Sequence, residues 1–145
     1  VLDLLVIARA GVSVLHHHAD RHTGRAPLEN ARQYPHLIAF TETGSSARLI
    51  SRWRAKPPLL AFTPNPRVRS QLSLVWGVET FLVPNVEHTD DMVVQVDKAL
   101  LEIGRATYGD RVVIVAGVPP GVPGTTNGMR VHKMGSAGRG GGAGV

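Results

Sequence analysis

The run Thr41-Glu42-Thr43-Gly44-Ser45-Ser46 packs four hydroxyls and one glycine into six residues. It follows the apolar residues 36–40 and precedes a helical pattern over residues 47–53, so it reads as a strand, a turn and the first turn of a helix. In that geometry, backbone N–H groups without an intrahelical partner and the positive end of the helix macrodipole converge on one point. The Thr and Ser hydroxyls add donors there, and the chemistry that fits is the binding of a phosphate. Nucleophilic chemistry by Ser45 or Ser46 would need a base within hydrogen-bond reach. The nearest histidine in sequence, His36, opens the preceding strand at its far end. His88 with Asp90 and Asp91 reads as a loop and a helix cap rather than as an acid–base pair. No catalytic residue is therefore assigned. His16, His17, His18, Asp20 and His22 offer good ligands for zinc or nickel. Adjacent histidines in an irregular arm rarely converge on one ion, so no metal site is assigned either.

The elements that would position the loop follow from periodicity. Short aliphatic runs at residues 36–40, 59–62, 80–83 and 112–116 have the character of buried parallel strands. Between the first two, Ala47, Ile50 and Trp53, joined by Leu49, form an apolar stripe, with Arg48 and Arg52 on the opposite face. A second helix is expected after Asn65 as N-cap and Pro66 at the first helical position, with Leu72, Leu74 and Val75 facing inward. Thr89-Asp90-Asp91 caps a third, longer helix in which Met92, Val93, Val96, Leu100 and Ile103 recur at helical spacing. Strands alternating with helices predict one α/β domain: a doubly wound sheet of about five strands with helices on both faces. The Gly- and Pro-rich stretch 117–127 is too short for a crossover helix, so residues 129–133 return antiparallel at an edge. Residues 1–33 keep neither period and read as an irregular arm, residues 34–134 as the domain, and the Gly-rich residues 135–145 as a disordered tail.

Composition narrows the class further. With 145 residues, 43% of them hydrophobic and 19% charged, the chain suits one globular domain. The absence of cysteine excludes disulfide scaffolds, thiolate zinc sites and cysteine nucleophiles. No apolar run approaches the roughly 20 residues of a membrane helix, so a soluble, cytoplasmic protein is the expectation. The net charge of +5 favours an anionic partner, and six basic residues (Arg48, Arg52, Arg54, Lys56, Arg67, Arg69) lie between Thr43 and Val78 with no Asp or Glu among them. The plain reading is a solvated, arginine-rich surface. Trp53 and Trp76 are expected in the core or an interface, which leaves that stretch without the exposed aromatics of a single-strand nucleic-acid binder.

Several blocks in one order carry a resemblance. They are Phe40-Thr41-Glu42-Thr43-Gly44-Ser45-Ser46-Ala47-Arg48-Leu49-Ile50, Pro57-Pro58-Leu59-Leu60-Ala61-Phe62-Thr63-Pro64-Asn65, Leu74-Val75-Trp76-Gly77-Val78, Gly109-Asp110-Arg111-Val112-Val113-Ile114 and Gly121-Val122-Pro123-Gly124-Thr125-Thr126-Asn127. Over about residues 35–134 the chain resembles the C-terminal domain of bacterial pyruvate kinase. The resemblance implies a small α/β unit whose first loop holds a phosphate of an allosteric effector while a Gly/Pro/Thr loop before the last strand closes over it. Thr41, Thr43, Gly44, Ser45 and Ser46 match the first loop, and Gly121, Gly124, Thr125 and Thr126 the second. Glu42 stands where fructose-bisphosphate-responsive animal members place a lysine, and residues 85–91 lack their tryptophan and arginine. A monophosphate is thus favoured over a bisphosphate.

Phosphoryl transfer from phosphoenolpyruvate to ADP belongs, in that family, to a (β/α)8 barrel that also holds magnesium and potassium. Such a barrel takes about 250 residues, so this chain is expected to hold no cofactor and to be inactive alone. The expected partners are a phosphorylated small molecule and a pyruvate kinase barrel or a homo-oligomer, with no membrane and no nucleic acid. A fragment, a frame-shifted product and a stand-alone domain are all compatible with residues 1–33. The alternative function is a free-standing phosphometabolite-binding module without enzymatic activity.

Overall fold

In a computed structural model of the chain, residues 36–55, 57–123 and 126–137 are described. The irregular arm, the metal-ligand candidates His16, His17, His18, Asp20 and His22, and the tail beyond residue 137 lie outside these residues. Eight elements follow one another: β1 (Leu37–Phe40), α1 (Ser45–Ser51), β2 (Leu59–Thr63), α2 (Pro66–Leu72), β3 (Val78–Leu82), α3 (Thr89–Glu102), β4 (Arg111–Gly117) and β5 (Thr126–Lys133). They form one sheet in the order β3-β2-β1-β4-β5. The first four strands run parallel and β5 returns antiparallel on β4, the doubly wound α/β arrangement expected from the alternating runs.

Strand alternation splits the core in two. Leu37 and Ala39 of β1, Leu59 and Ala61 of β2, and Val113 and Val115 of β4 pack on one face against Ala47 and Ile50 of α1 and Val68 and Leu72 of α2. Ile38, Leu60, Phe62, Val112 and Ile114 point the other way and meet Val93, Val96 and Leu100 of α3. Phe62 extends this second core by lying 5.3 Å from Phe40 and 5.0 Å from Phe81, centroid to centroid. Two-sided burial is why these strands read as continuous apolar runs.

Several helix ends differ from expectation. Helix α2 starts as predicted, with Asn65 Oδ1 accepting the N–H groups of Arg67 and Val68 and Pro66 entering first. Its chain turns away after Leu72, so Leu74 is 90% exposed while Val75 stays against the core. Helix α1 stops at Ser51 and leaves Trp53 beyond it on the surface. Thr89 is the first residue of α3 rather than its cap; His88 takes that position without a capping side-chain bond. Ile103 follows the last turn of α3 and is exposed. Strand β5 begins at Thr126, ahead of the expected 129, because pairing with β4 continues through Ala116↔Gly128 and, past an irregularity, to Gly117↔Thr126. Among the described residues no helix is long and apolar enough to cross a membrane.

Gly44 sets the entry to α1. It adopts φ 83, a left-handed conformation that costs other L-residues about 1–2 kcal/mol. A Cβ there would lie 3.2 Å from Val68 Cγ1 and 3.3 Å from Leu72 Cδ2, so its bareness also seats α1 against α2. On the other face of the sheet α3 carries Asp97. It is buried, accepts from His132 Nε2 at 2.7 Å with Oδ1, and takes the N–H groups of Gly135 and Ala137, both at 3.0 Å, with Oδ2. One carboxylate thereby ties the end of β5 and the first residues of the glycine-rich segment to α3.

Two stability measurements check these assignments. Asp97→Ala strands a buried histidine and two N–H groups, and urea unfolding should show a loss of about 3 kcal/mol or more. Gly44→Ala should cost about 1–2 kcal/mol in the same assay and Gly44→Val more, because its added methyls press on α2. A neutral Gly44→Ala would remove the conformational argument.

Candidate functional site

Strands β1, β2 and β3 are laid down successively in one direction, and the chain then crosses to place β4 on the other side of β1. The loop after β1 leads to α1 on one face while the loop after β4 turns back into β5, and a crevice lies between them at the carboxyl ends of the strands. It is a cleft of about 450 Å³, bounded by the loop after β1, the start of α1, residues 83–86 after β3 and residues 117–123 after β4.

The predicted loop residues divide between lining the cleft and shaping it. Thr43 and Ser45 are exposed in it, their hydroxyl oxygens 3.0 Å apart. Ser46 is buried and its Oγ lies 2.6 Å from Thr126 Oγ1, so two hydroxyls 80 residues apart in sequence close the cleft floor. Thr41 borders the cleft, but its buried hydroxyl accepts the Gly44 N–H at 2.8 Å and fixes the bend. Gly44 does not line the cleft: the side where its Cβ would stand faces Val68 and Leu72, not a ligand. Backbone conformation and packing on α2 account for glycine at this position. Gly121 lines the cleft opposite Asn85, whereas Gly124 and Thr125 lie outside the described residues.

The second loop is held by a local clamp. Asn127 Oδ1 accepts the Val118 N–H at 2.8 Å and Asn127 Nδ2 donates to the Val118 carbonyl at 2.9 Å. That pairing draws the base of the loop against β5 and brings Thr126 to Ser46. Of the basic residues singled out in the sequence, Arg48 and Arg52 line the cleft beside Glu42. Arg48 donates from Nη2 to Gln71 Oε1 at 3.1 Å and from Nη1 to the Thr43 carbonyl at 3.4 Å, bracing the loop against α2. Arg54, Arg67 and Arg69 are not at the cleft, and Lys56 lies outside the described residues. Sequence reasoning missed the apolar wall, in which Val83, Pro84, Val86 and Pro119 face the hydroxyl side. The rule that ligands sit beyond the carboxyl ends of strands would have pointed to the loop after β3 as well.

Among the described residues no histidine lines the cleft, since His36 Nε2 lies 2.6 Å from the Arg105 carbonyl and His132 faces Asp97. Neither Ser45 nor Ser46 therefore has an imidazole base beside it. Nor do three or more His, Asp or Glu residues converge as metal ligands among the described residues.

Comparison with known proteins agrees with this architecture. Residues 28–132 match the family model described as pyruvate kinase, alpha/beta domain. The chain is 54% identical over 99 residues to the pyruvate kinase of Mycobacterium tuberculosis, which covers 68% of this chain and 21% of the relative. It is 52% identical to that of Corynebacterium glutamicum over the same length and shares. A crystal structure of a pyruvate kinase from Cryptosporidium parvum superposes with a TM-score of 0.73 at 25% identity, covering 92% of this chain and 23% of that one. The chain spans about a fifth of the length of the curated relatives it matches. A match over most of the sequence, with the same strands around the same sheet, makes this chain a member of the pyruvate kinase family that carries the family's α/β domain.

Proposed function

We propose that this chain is the regulatory α/β domain of a cytoplasmic, glycolytic pyruvate kinase and binds a phosphorylated small molecule in the cleft at the end of the sheet. The observation that carries the reading is the meeting of Thr43, Ser45, Ser46 and Thr126, from two loops far apart in sequence, on one wall of a cleft that also holds Arg48 and Arg52. Hydroxyl donors and guanidinium groups are the partners a phosphate recruits. Glu42 on the same rim disfavours a second phosphate by like-charge repulsion, so a monophosphate is the preferred class. The neighbouring apolar wall accepts the body of the ligand.

Phosphoryl transfer from phosphoenolpyruvate to ADP, with its magnesium and potassium, is assigned to the barrel that the longer relatives carry. That barrel, or another copy of the domain, is the proposed macromolecular partner. The alternative, a free-standing phosphometabolite sensor, uses the same cleft; a barrel-coding frame directly upstream in the genome would favour the regulatory domain over it.

Two measurements test the reading. Calorimetric titration with a panel of sugar phosphates, nucleotides and inorganic phosphate should identify a binding monophosphate. Ser46→Ala and Thr126→Val should each weaken it by about 10- to 100-fold, the loss of one hydrogen bond to a charged group. Binding that is unchanged in both variants would move the ligand away from this wall. A coupled assay with phosphoenolpyruvate and ADP should show no turnover by the chain, and measurable turnover would overturn the assignment of catalysis to the barrel.

A further inference from the structure

The two helical layers carry opposite charge. Between Thr43 and Val78 there is no Asp or Glu, and the described residues of that stretch include Arg48, Arg52, Arg54, Arg67 and Arg69. On the other face of the sheet, Glu87, Asp90, Asp91 and Glu102 are exposed in or beside α3, with Lys98 the exposed cation of that helix. Helices α1 and α2 lie side by side, joined by the Arg48–Gln71 bond, and both run back from the cleft toward the amino ends of the strands. Their arginines follow the same path. At its end stand the two tryptophans of the chain, Trp53 at 41% and Trp76 at 60% exposure. Of the two places expected for them, core or interface, the core is ruled out, and with it goes the argument that no exposed aromatic accompanies the basic stretch.

The geometry at Trp76 is specific. The Arg54 guanidinium lies 4.9 Å from the Trp76 ring centroid, within cation–π range. Arg54 itself takes φ 46, the one non-glycine residue with positive φ among the described residues. An indole backed by a guanidinium, a second indole nearby in sequence and a line of arginines combine a stacking platform with a cationic track. We infer that the α1/α2 layer binds single-stranded nucleic acid, its bases stacking on Trp76 and Trp53 and its phosphates following the arginines. An acidic protein segment would share the charge complementarity, but planar groups strung along a basic surface match unpaired bases joined by phosphates more closely. Helix α1 is only about 10 Å long at 1.5 Å per residue, so the site is short. Trp53, Trp76 and Arg54 lie outside the cleft, while Arg48 and Arg52 line it, so the two readings share those two arginines and are separated by the tryptophans.

The test uses the 145-residue chain, a fluorescein-labelled 12-mer of deoxythymidine and the intrinsic fluorescence of Trp53 and Trp76, which reports this surface alone. Expected are a rise in anisotropy, quenching of the tryptophans, and a log K against log salt slope of about −3 if four or five phosphates are neutralised. Trp76→Ala should weaken binding about 10-fold or more, as the loss of one stacked base does, while circular dichroism stays unchanged because the side chain is on the surface. A duplex of the same length should bind more weakly and leave the tryptophans unquenched. No anisotropy change at low salt would overturn the inference, as would equal affinity of Trp76→Ala or of the duplex. Equal quenching by poly-glutamate would overturn it too, in favour of an acidic protein partner.

Discussion

Strand β1 is hydrogen-bonded along both edges to parallel neighbours, β2 on one side and β4 on the other. Both of its faces are then covered, so Leu37 and Ala39 must suit the layer of α1 and α2 while Ile38 suits that of α3. Nothing polar can be tolerated until the strand ends, and the first residues free of that demand are those of the hydroxyl-rich bend. The bend opens where the sheet changes winding direction, since β2 and β3 lie to one side of β1 and β4 and β5 to the other. A central, doubly covered strand thus fixes both the core and the place where a ligand can enter.

Closure of that place depends on contacts between distant segments. Thr41 shapes the bend from within, whereas Ser46 meets Thr126 only because β5 returns along β4 and Asn127 clamps the preceding loop. At the other end of β5, His132 and Asp97 lock the strand to α3. Buried and carrying three hydrogen bonds, Asp97 is a polar group whose desolvation is compensated by position rather than by water. Strand β5, with one long edge unpaired in the described sheet, is thereby anchored at both ends.

Charge is distributed as unevenly as polarity. An arginine-bearing α1/α2 layer and an acidic α3 layer give the domain a field with direction. The α/β unit spans about a fifth of the length of the matched pyruvate kinases.

The strands, the order of the elements, the antiparallel return of β5 and the hydroxyl-rich bend could all be read from the chain, because each rests on local signals: aliphatic runs, the Asn65-Pro66 cap and a linker too short for a helix. The same local signals misplaced Trp53, Leu74 and Ile103, whose apolar character extends a helical period past the residue at which the helix ends. The contact of Gly44 with Val68 and Leu72 is likewise beyond them, since it exists only when α1 and α2 are packed together. The Ser46–Thr126 contact, the Asp97–His132 pair and the stacking of Arg54 on Trp76 join residues that periodicity cannot bring together. Hydrophobic pattern and turn chemistry act over a few residues and so specify the elements from sequence. Which side chains then face one another is decided by how the sheet winds around β1, and only the folded chain determines that.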